Sequence, residues 1–400
     1  MSRLVLAAPI LLAACGTTFR SDLRFLRAHT DVIVLQDREG DARVVICPAL
    51  QGRVMTSTAT GQGGMSFGWI NYELIASGEK RPHINVYGGE DRFWLGPEGG
   101  QFSIFFAKGV PFDLEHWFTP APIDTEPFEV AKREEERVTL RKVIQLTNAS
   151  GTAFTLDVHR EVRLLRADRA WSHLQMPPPE EVKLVAFETV NKVTNSGVTE
   201  WKKETGLLSI WILGMFNPSP GTTVVVPYRA GPGPRVNDAY FGKVPRERLV
   251  VRPRKGETPD DGVIFFKGDG QHRSKIGVSP HRARPVLGSW DAANGVLTIV
   301  QYTLPGTTEY VNSMWEQQKE PYAGDALNSY NDGPPEEGAK PLGPFYELES
   351  SSPALALKPG QSAIHVHRTI HLQGSTKELN RVARRVLGAE LEEIEQALRR

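Results

Sequence analysis

From Asp31 to Leu372 the chain runs in short apolar or alternating stretches separated by clusters of Gly, Pro, Asn and Asp, with no segment of helical period between them. This pattern constrains the fold more than any other feature. Many short strands joined by turn chemistry predict sheet packed on sheet, and the missing helices argue against a parallel α/β arrangement. The expected strands include Val32 to Leu35, Arg43 to Cys47, Phe102 to Phe106, Val138 to Leu146, Phe154 to Leu164, Leu207 to Leu213, Thr222 to Val226, Val263 to Phe266, Val296 to Tyr302 and Ile364 to Leu372. Arg160 shares the phase of Leu156, Val158 and Val162, so it points inward and needs an anionic ligand or a buried carboxylate. His159 falls in the polar phase and is expected to face solvent.

The two ends read differently. Residues 1–14 comprise Met1-Ser2-Arg3 and an apolar run from Leu4 to Ala14, followed by Cys15. The run is far below the roughly 20 residues a spanning helix needs, so it reads as a leader. Leu12-Ala13-Ala14-Cys15 has the order of a bacterial lipobox, which predicts lipidation of Cys15 and a lipid-anchored place in the cell envelope, on the periplasmic face or at the outer membrane. Residues 15–30 are read as a tether with a short helix over Ser21 to His29, 31–375 as one β domain, and 376–400 as a C-terminal amphipathic helix. In that helix Leu379, Val382, Ala383, Val386, Leu387, Leu391, Ile394 and Leu398 recur at helical steps and are expected to pack on the sheet. With Cys15 lipidated, Cys47 has no disulfide partner and reads as a small buried hydrophobe. Lys plus Arg number 47, as do Asp plus Glu, and the basic residues are dispersed, which speaks against a nucleic-acid partner. The oligomeric state stays open.

The richest stretch for chemistry is 83–101. It carries His83, Asn85, Tyr87, Gly88, Gly89, Glu90, Asp91, Arg92, Trp94 and Glu98, and its glycines argue against an ordinary strand. Aromatic faces suit sugar C–H groups, while carboxylate, amide and guanidinium groups suit hydroxyls, so these residues are candidates for carbohydrate binding. A structural salt-bridge loop is the alternative. Trp315, Glu316 and Tyr330 are further candidates for a sugar-binding face, as is Arg160.

The segments Val45 to Ser57, Tyr87-Gly88-Gly89-Glu90-Asp91-Arg92-Phe93-Trp94, Tyr346 to Ser350 and Leu357 to Gln361 resemble the galactose mutarotase-like superfamily, in order and local pattern over most of the chain. The resemblance implies an antiparallel β-supersandwich with sugar bound on a concave sheet face. It also implies a late carboxylate as base and a histidine as acid, here Glu347 or Glu349 with His116 or His281. Alternation puts Glu347 and Glu349 on one strand face, roughly 7 Å apart. Neither histidine sits in a motif that matches the family's acid. The expected activity is therefore carbohydrate processing, by epimerisation like that of an aldose 1-epimerase or by glycan cleavage, with a non-catalytic sugar-binding protein as the alternative.

Two further clusters invite metals. Asp325, Asn328, Asn331 and Asp332 lie in a Gly-bounded segment read as a loop and could bind calcium, although turn chemistry accounts for part of the set. His365, His367 and His371 share one face of a strand whose other face is apolar. A polar surface explains them more simply than a metal site. No other cofactor is expected, and neither a Gly-x-Ser-x-Gly elbow nor a P-loop pattern occurs.

Overall fold

The computed structural model describes residues 17–254, 260–336 and 338–399. The leader at 1–14 and Cys15 lie outside the described residues, so the lipidation expected of Cys15 is not addressed by the fold. Helix α1 (Phe19–His29) opens the chain, capped by Thr18, whose hydroxyl accepts from Ser21 N at 3.3 Å. It buries Phe19, Leu23 and Leu26 against Val45, Cys47 and Met55.

Strands β1 (Ile33–Gln36), β2 (Arg43–Cys47) and β3 (Arg53–Thr58) form a three-stranded antiparallel sheet, followed by the short helix α2 (Tyr72–Ser77). Next come β4 (Arg92–Gly96), α3 (Ala121–Asp124), β5 (Glu129–Arg133), β6 (Arg137–Thr147), β7 (Ala153–Leu164), α4 (Ala167–Leu174) and β8 (Lys183–Asn195). The middle of the chain supplies β9 (Ser209–Phe216), β10 (Thr223–Tyr228), β11 (Leu249–Pro253), β12 (Gly262–Lys267) and β13 (Ser274–Val278). The rest comprises β14 (Val286–Asp291), β15 (Val296–Tyr302), β16 (Leu327–Asn331), β17 (Tyr346–Ser351), β18 (Ser362–Gln373), α5 (Thr376–Val386) and α6 (Leu391–Gln396).

The expected mainly β, antiparallel architecture is present. Ten strands in the order β11-β12-β10-β14-β15-β18-β8-β7-β6-β5 make one sheet, and β13-β16-β17-β9-β4 make a second of five. The two sheets pack face to face as a sandwich. In β7, Phe154, Leu156, Val158 and Val162 turn inward and join Ile210, Ile212 and Phe93 of the smaller sheet in one core. Polar contacts also cross the gap: Ser350 Oγ on β17 lies 2.8 Å from both His365 Nε2 and His367 Nδ1 on β18, and Ser289 on β14 meets the Tyr346 hydroxyl at 2.8 Å.

Four sequence expectations need correction. Phe102 to Phe106 forms turns instead of a strand, because Ser103 Oγ accepts from Phe105 N at 2.9 Å and Phe106 N at 3.3 Å and draws the backbone into a local bend. The C-terminal helix is two helices, since Gly388 adopts φ +71 between α5 and α6. Together they cover the outer face of the larger sheet, with Leu379, Val382, Leu391 and Ile394 against Leu297, Ile299, Ile370 and Leu372. Each such side chain contributes about 1.5–3 kcal/mol by leaving water. The segment around Asn328 is strand β16, not a loop. Finally, His365, His367 and His371 are buried, at 0%, 0% and 1% exposure. Strand β18 lies in the middle of the larger sheet with both faces covered, so its polar face meets the second sheet instead of solvent. Cys47 is a free, buried thiol in β2, and burial raises it above its ordinary value. No helix among the described residues is long and apolar enough to cross a membrane.

Candidate active site

The outward face of the five-stranded sheet forms the floor of a cavity of about 460 Å³. Register fixes what points into it. Lys275 pairs with Tyr330, Tyr330 with Glu347 and Glu347 with Met215, so one residue from each of four strands makes a row. The next row runs Gly277, Asn328, Glu349, Leu213, Arg92 across all five strands. Residues directly opposite on antiparallel strands share a face, so both rows look the same way. Their intervening partners Ile276, Ser329, Leu348 and Phe93 face the sandwich interior.

Loops build the walls. Trp117 and Trp315 stack with centroids 5.7 Å apart and 29° between planes. Gly99 lets 98–101 press against 314–315: a Cβ there would sit 2.2 Å from Met314 O. Glu98 N donates to Ser313 Oγ at 3.1 Å, which brings Glu98 and Trp315 into one wall. Gly88 and Gly89, at φ +93 and +107, make the turn that feeds Arg92 into β4. Trp94 and Trp211 meet edge to face at 5.5 Å on the floor.

Each late carboxylate has its own cation. Arg92 Nη2 donates to Glu347 Oε1 at 2.8 Å, and its guanidinium lies 4.0 Å over the Trp94 ring. Lys275 Nζ and Trp211 Nε1 both donate to Glu349 Oε2, at 3.1 and 2.9 Å. Burial drives the Glu347 carboxyl well above the usual range; Arg92 opposes this and Glu349 adds to it. Burial raises Glu98 too, with Lys275 opposing and Glu349 adding. Burial alone would depress the Lys275 ammonium, but Glu349, Glu98 and Glu347 outweigh it and hold it above its ordinary value. Burial also pushes Asp332, at the cavity edge, up to about 6. Five buried polar atoms have no protein partner: Glu349 Oε1, Arg92 Nε and Nη1, Trp94 Nε1 and Trp117 Nε1. Arg92, Trp94 and Trp117, which carry the four donors, line the cavity, and Glu349, which carries the acceptor, lies on the same side of the sheet.

Of the residues singled out in sequence, His83, Arg92, Trp94, Glu98, Trp315, Tyr330 and Glu347 line this cavity, while Glu349 is on the same sheet face but fully buried and not part of the lining. The other half of the Gly-rich stretch is structural. Asn85 Nδ2 donates to Asp124 at 2.8 Å, and Tyr87 sits in the α1 cluster with Arg53 5.3 Å from its ring. Glu90 is buried between Ser57 Oγ at 2.9 Å and His371 Nε2 at 2.8 Å. Asp91 accepts from Arg160 Nη2 at 2.5 Å and Thr189 Oγ1 at 2.8 Å, so the inward Arg160 has a carboxylate partner and lies away from the cavity. Glu316 is exposed and does not line it.

The two candidate histidine acids also stand outside. His116 bonds to Asp113 at 2.6 Å, between Glu115 and Trp117 but not itself in the wall; His281 is exposed in the turn after β13. The histidine at the cavity is His83, whose Nδ1 meets Trp117 O at 2.7 Å while its ring stacks on Phe118 at 4.2 Å. The four oxygen donors considered for calcium are each engaged by protein partners, Asp325 and Asn328 through a shared Tyr240 hydroxyl. Asp325 accepts from Tyr240 and Asn237 at 2.6 and 3.0 Å, Asn328 donates to Ile276 O at 3.2 Å, Asn331 donates to His272 O at 2.9 Å, and Asp332 accepts from Tyr330 at 2.7 Å. Among the described residues no group of three or more His, Cys, Asp or Glu side chains gathers as a metal-holding set.

Sequence reasoning missed Lys275, Arg273, Trp211, Trp117 and Phe241. The signal for the first two was present: Arg273 and Lys275 alternate with the inward Ile276 and Val278, placing cations on one face of a strand.

A family of unknown function, DUF6786, matches residues 17–398, and the chain belongs to it. A search of curated proteins returns no match. Among solved structures, the chain is similar to the Slr1438 protein of Synechocystis sp. PCC 6803, with 12% identity over 86% of this chain and 96% of that one and a TM-score of 0.51. The neighbours include a galactose mutarotase-like protein from Lactobacillus casei ATCC 334, with 12% identity, coverage of 86% and 100% and a TM-score of 0.43. They also include a galactose mutarotase related enzyme from Lactobacillus acidophilus, with 11% identity, coverage of 86% and 97% and a TM-score of 0.41.

Proposed function

We propose that this member of a family without assigned function binds a carbohydrate and transforms it by acid–base chemistry, with Glu347 as proton donor and Glu349 as proton acceptor. One observation carries the reading. Two buried carboxyl groups, two positions apart on one strand face, meet different cations, and the first of them, Glu347, lines a cavity walled by tryptophans. Carboxyls whose surroundings differ divide into acid and base roles. Burial favours the protonated form of Glu347, while Glu349, on the same strand face, keeps one oxygen without a protein partner. Indole faces of the lining suit sugar C–H groups, and Arg92, Trp94 and Trp117, which line the cavity and have donors without a protein partner, suit hydroxyls. Epimerisation at an anomeric centre and cleavage of a glycosidic bond both use such a pair. His116 and His281 stand away from the cavity and His83 is held through Nδ1 against Trp117 O at 2.7 Å, so this reading gives the proton donor to a carboxyl.

A glycan array followed by calorimetry tests binding, and NMR of the anomeric ratio and chain length of each bound sugar tests turnover. Glu349→Gln should slow turnover by at least about 100-fold with binding largely kept. Binding with no turnover in the wild type leaves a sugar-binding protein, and no bound sugar removes the reading altogether. The leader and Cys15 support placing this cavity in the envelope on a lipid anchor. Cys15→Ser should release the protein from membranes, and unchanged fractionation rejects the anchor.

A further inference from the structure

We propose that the ligand carries an anionic group, a hexuronate carboxylate or a sulfate or phosphate ester, and that Arg273 and Lys340 receive it. This rests on the reading of the cavity as a carbohydrate site and narrows its substrate class.

Arg273 immediately precedes β13, and alternation through Lys275 and Gly277 sets it on the cavity face, whose wall it joins. Its guanidinium carbon lies 3.9 Å from the centroid of the Phe241 ring. Phe241 is fixed in turn by edge-to-face contacts with Trp315 at 6.4 Å and Tyr330 at 5.9 Å. A guanidinium laid on an aromatic ring has one face covered, so its N–H donors point outward in its own plane. A planar fork held in that way matches the paired oxygens of a carboxylate or of a tetrahedral oxyanion.

Among the described residues, Arg273 makes no side-chain hydrogen bond and no ion pair. The other two cations of the floor are each taken, Arg92 by Glu347 at 2.8 Å and Lys275 by Glu349 at 3.1 Å. These contacts tie Arg92 and Lys275 to neighbouring carboxyl groups, while Arg273, although near enough to Asp332 and Glu98 to lower them, hydrogen-bonds to neither among the described residues. Lys340 lines the same cavity from the loop that follows Asp332. That loop is seated on the Arg273 backbone: a Cβ on Gly333 would lie 2.5 Å from His272 N and 2.6 Å from Arg273 N. Of the acids in this loop, Asp332 is occupied by the Tyr330 hydroxyl at 2.7 Å and Gly343 N at 2.8 Å, and Glu336 is exposed and outside the cavity lining. The loop therefore adds a second cation, Lys340, to the cavity wall.

The test is calorimetric titration of the full-length protein with matched oligosaccharides: galacturonate and glucuronate series, their neutral galactose and glucose counterparts, and sulfated and phosphorylated analogues. At least one anionic series should bind about 10-fold or more tightly than its neutral counterpart at low ionic strength. Arg273→Gln should bring that ratio close to one, and Arg273→Lys, which keeps charge but not the fork, should fall between. Lys340→Gln, at an exposed position, should lower the ratio without disturbing folding, and unchanged melting curves identify the well-folded variants. Neutral sugars bound as tightly as every anionic partner would overturn the inference and leave the sugar-site reading standing. An anionic preference that survives in both Gln variants would also overturn it. Failure to bind any sugar would remove both.

Discussion

Replacing Asp91 by Asn should destabilise the fold by about 3–5 kcal/mol, mostly through what it leaves behind. Arg160 is fully buried, with Nε on Gly52 O at 3.1 Å, Nη1 on Asn191 Oδ1 at 2.6 Å and Nη2 on Asp91. Burial raises the Asp91 carboxyl even though Arg160 pulls it down, so the intact pair contributes little net. Removing one charge is different, because the guanidinium then stays in a dry interior with no counter-charge. Over 400 residues, at about 2.1 cal/mol/K per residue, this loss corresponds to a fall in Tm of about 4–6 °C. The assay is a double-mutant cycle by thermal and urea unfolding of Asp91→Asn, Arg160→Met and the pair together. The double variant should lose clearly less than the two single losses added, by about 2 kcal/mol or more. Additive losses, or an Asp91→Asn variant within about 0.5 kcal/mol of the wild type, would refute the reasoning. Asp91 directly precedes Arg92, so the same variant should also weaken sugar binding.

Two further predictions concern pH. Asp332 has a folded pKa raised to about 6, above its unfolded value, so its contribution is full at low pH and is lost as pH rises through about 6. Melting curves at pH 4 to 8 should show Asp332→Asn gaining on the wild type up to about pH 6–7 and then running parallel; a constant gap across the range would contradict this. Burial holds His365 and His367 neutral down to about 3, so their contribution is present above the unfolded value near 6.5 and is lost as pH falls towards 3. His367→Gln should flatten the acid limb of the stability curve by about 1.4 kcal/mol per pH unit, and an unchanged slope would mean that the imidazole already carries a proton in the folded state.

Much of the fold was legible because strand period is local information. The β7 residues Phe154, Leu156, Val158, Val162 and Leu164 announce their buried face, and the same phase marked Arg160 as an inward charge in need of a partner. The partner was not legible, since Asp91 lies 69 positions away. The Gly-rich stretch shows the same limit. Its composition signalled function, but whether each residue reached the cavity depended on distant partners: Asp124 holds Asn85, His371 holds Glu90, and Glu347 shares the cavity with Arg92. The three histidines of β18 were misplaced because one apolar face accounts for a strand at a sheet surface. Only the sheet order shows it to be central and covered on both sides. Gly388, by contrast, was a readable helix terminator inside the apolar stripe. On the floor, the period that placed Glu347 and Glu349 on one face would have placed Arg273 and Lys275 likewise, had a cation pair in an apolar run been given the same weight.

Strand β17 sets Glu347 and Glu349 on the cavity side of its sheet while Leu348 and Ser350, alternating with them, hold the opposite side to the larger sheet. A slip of one position in its pairing would exchange the two sets, turning an aliphatic chain and a hydroxyl outward and driving two acids into the dry interior. Reactivity and assembly are thus decided by the same alignment. A molecule that has not closed this strand correctly should be inert rather than weakly active, and specific activity across a denaturation curve should follow the folded fraction alone.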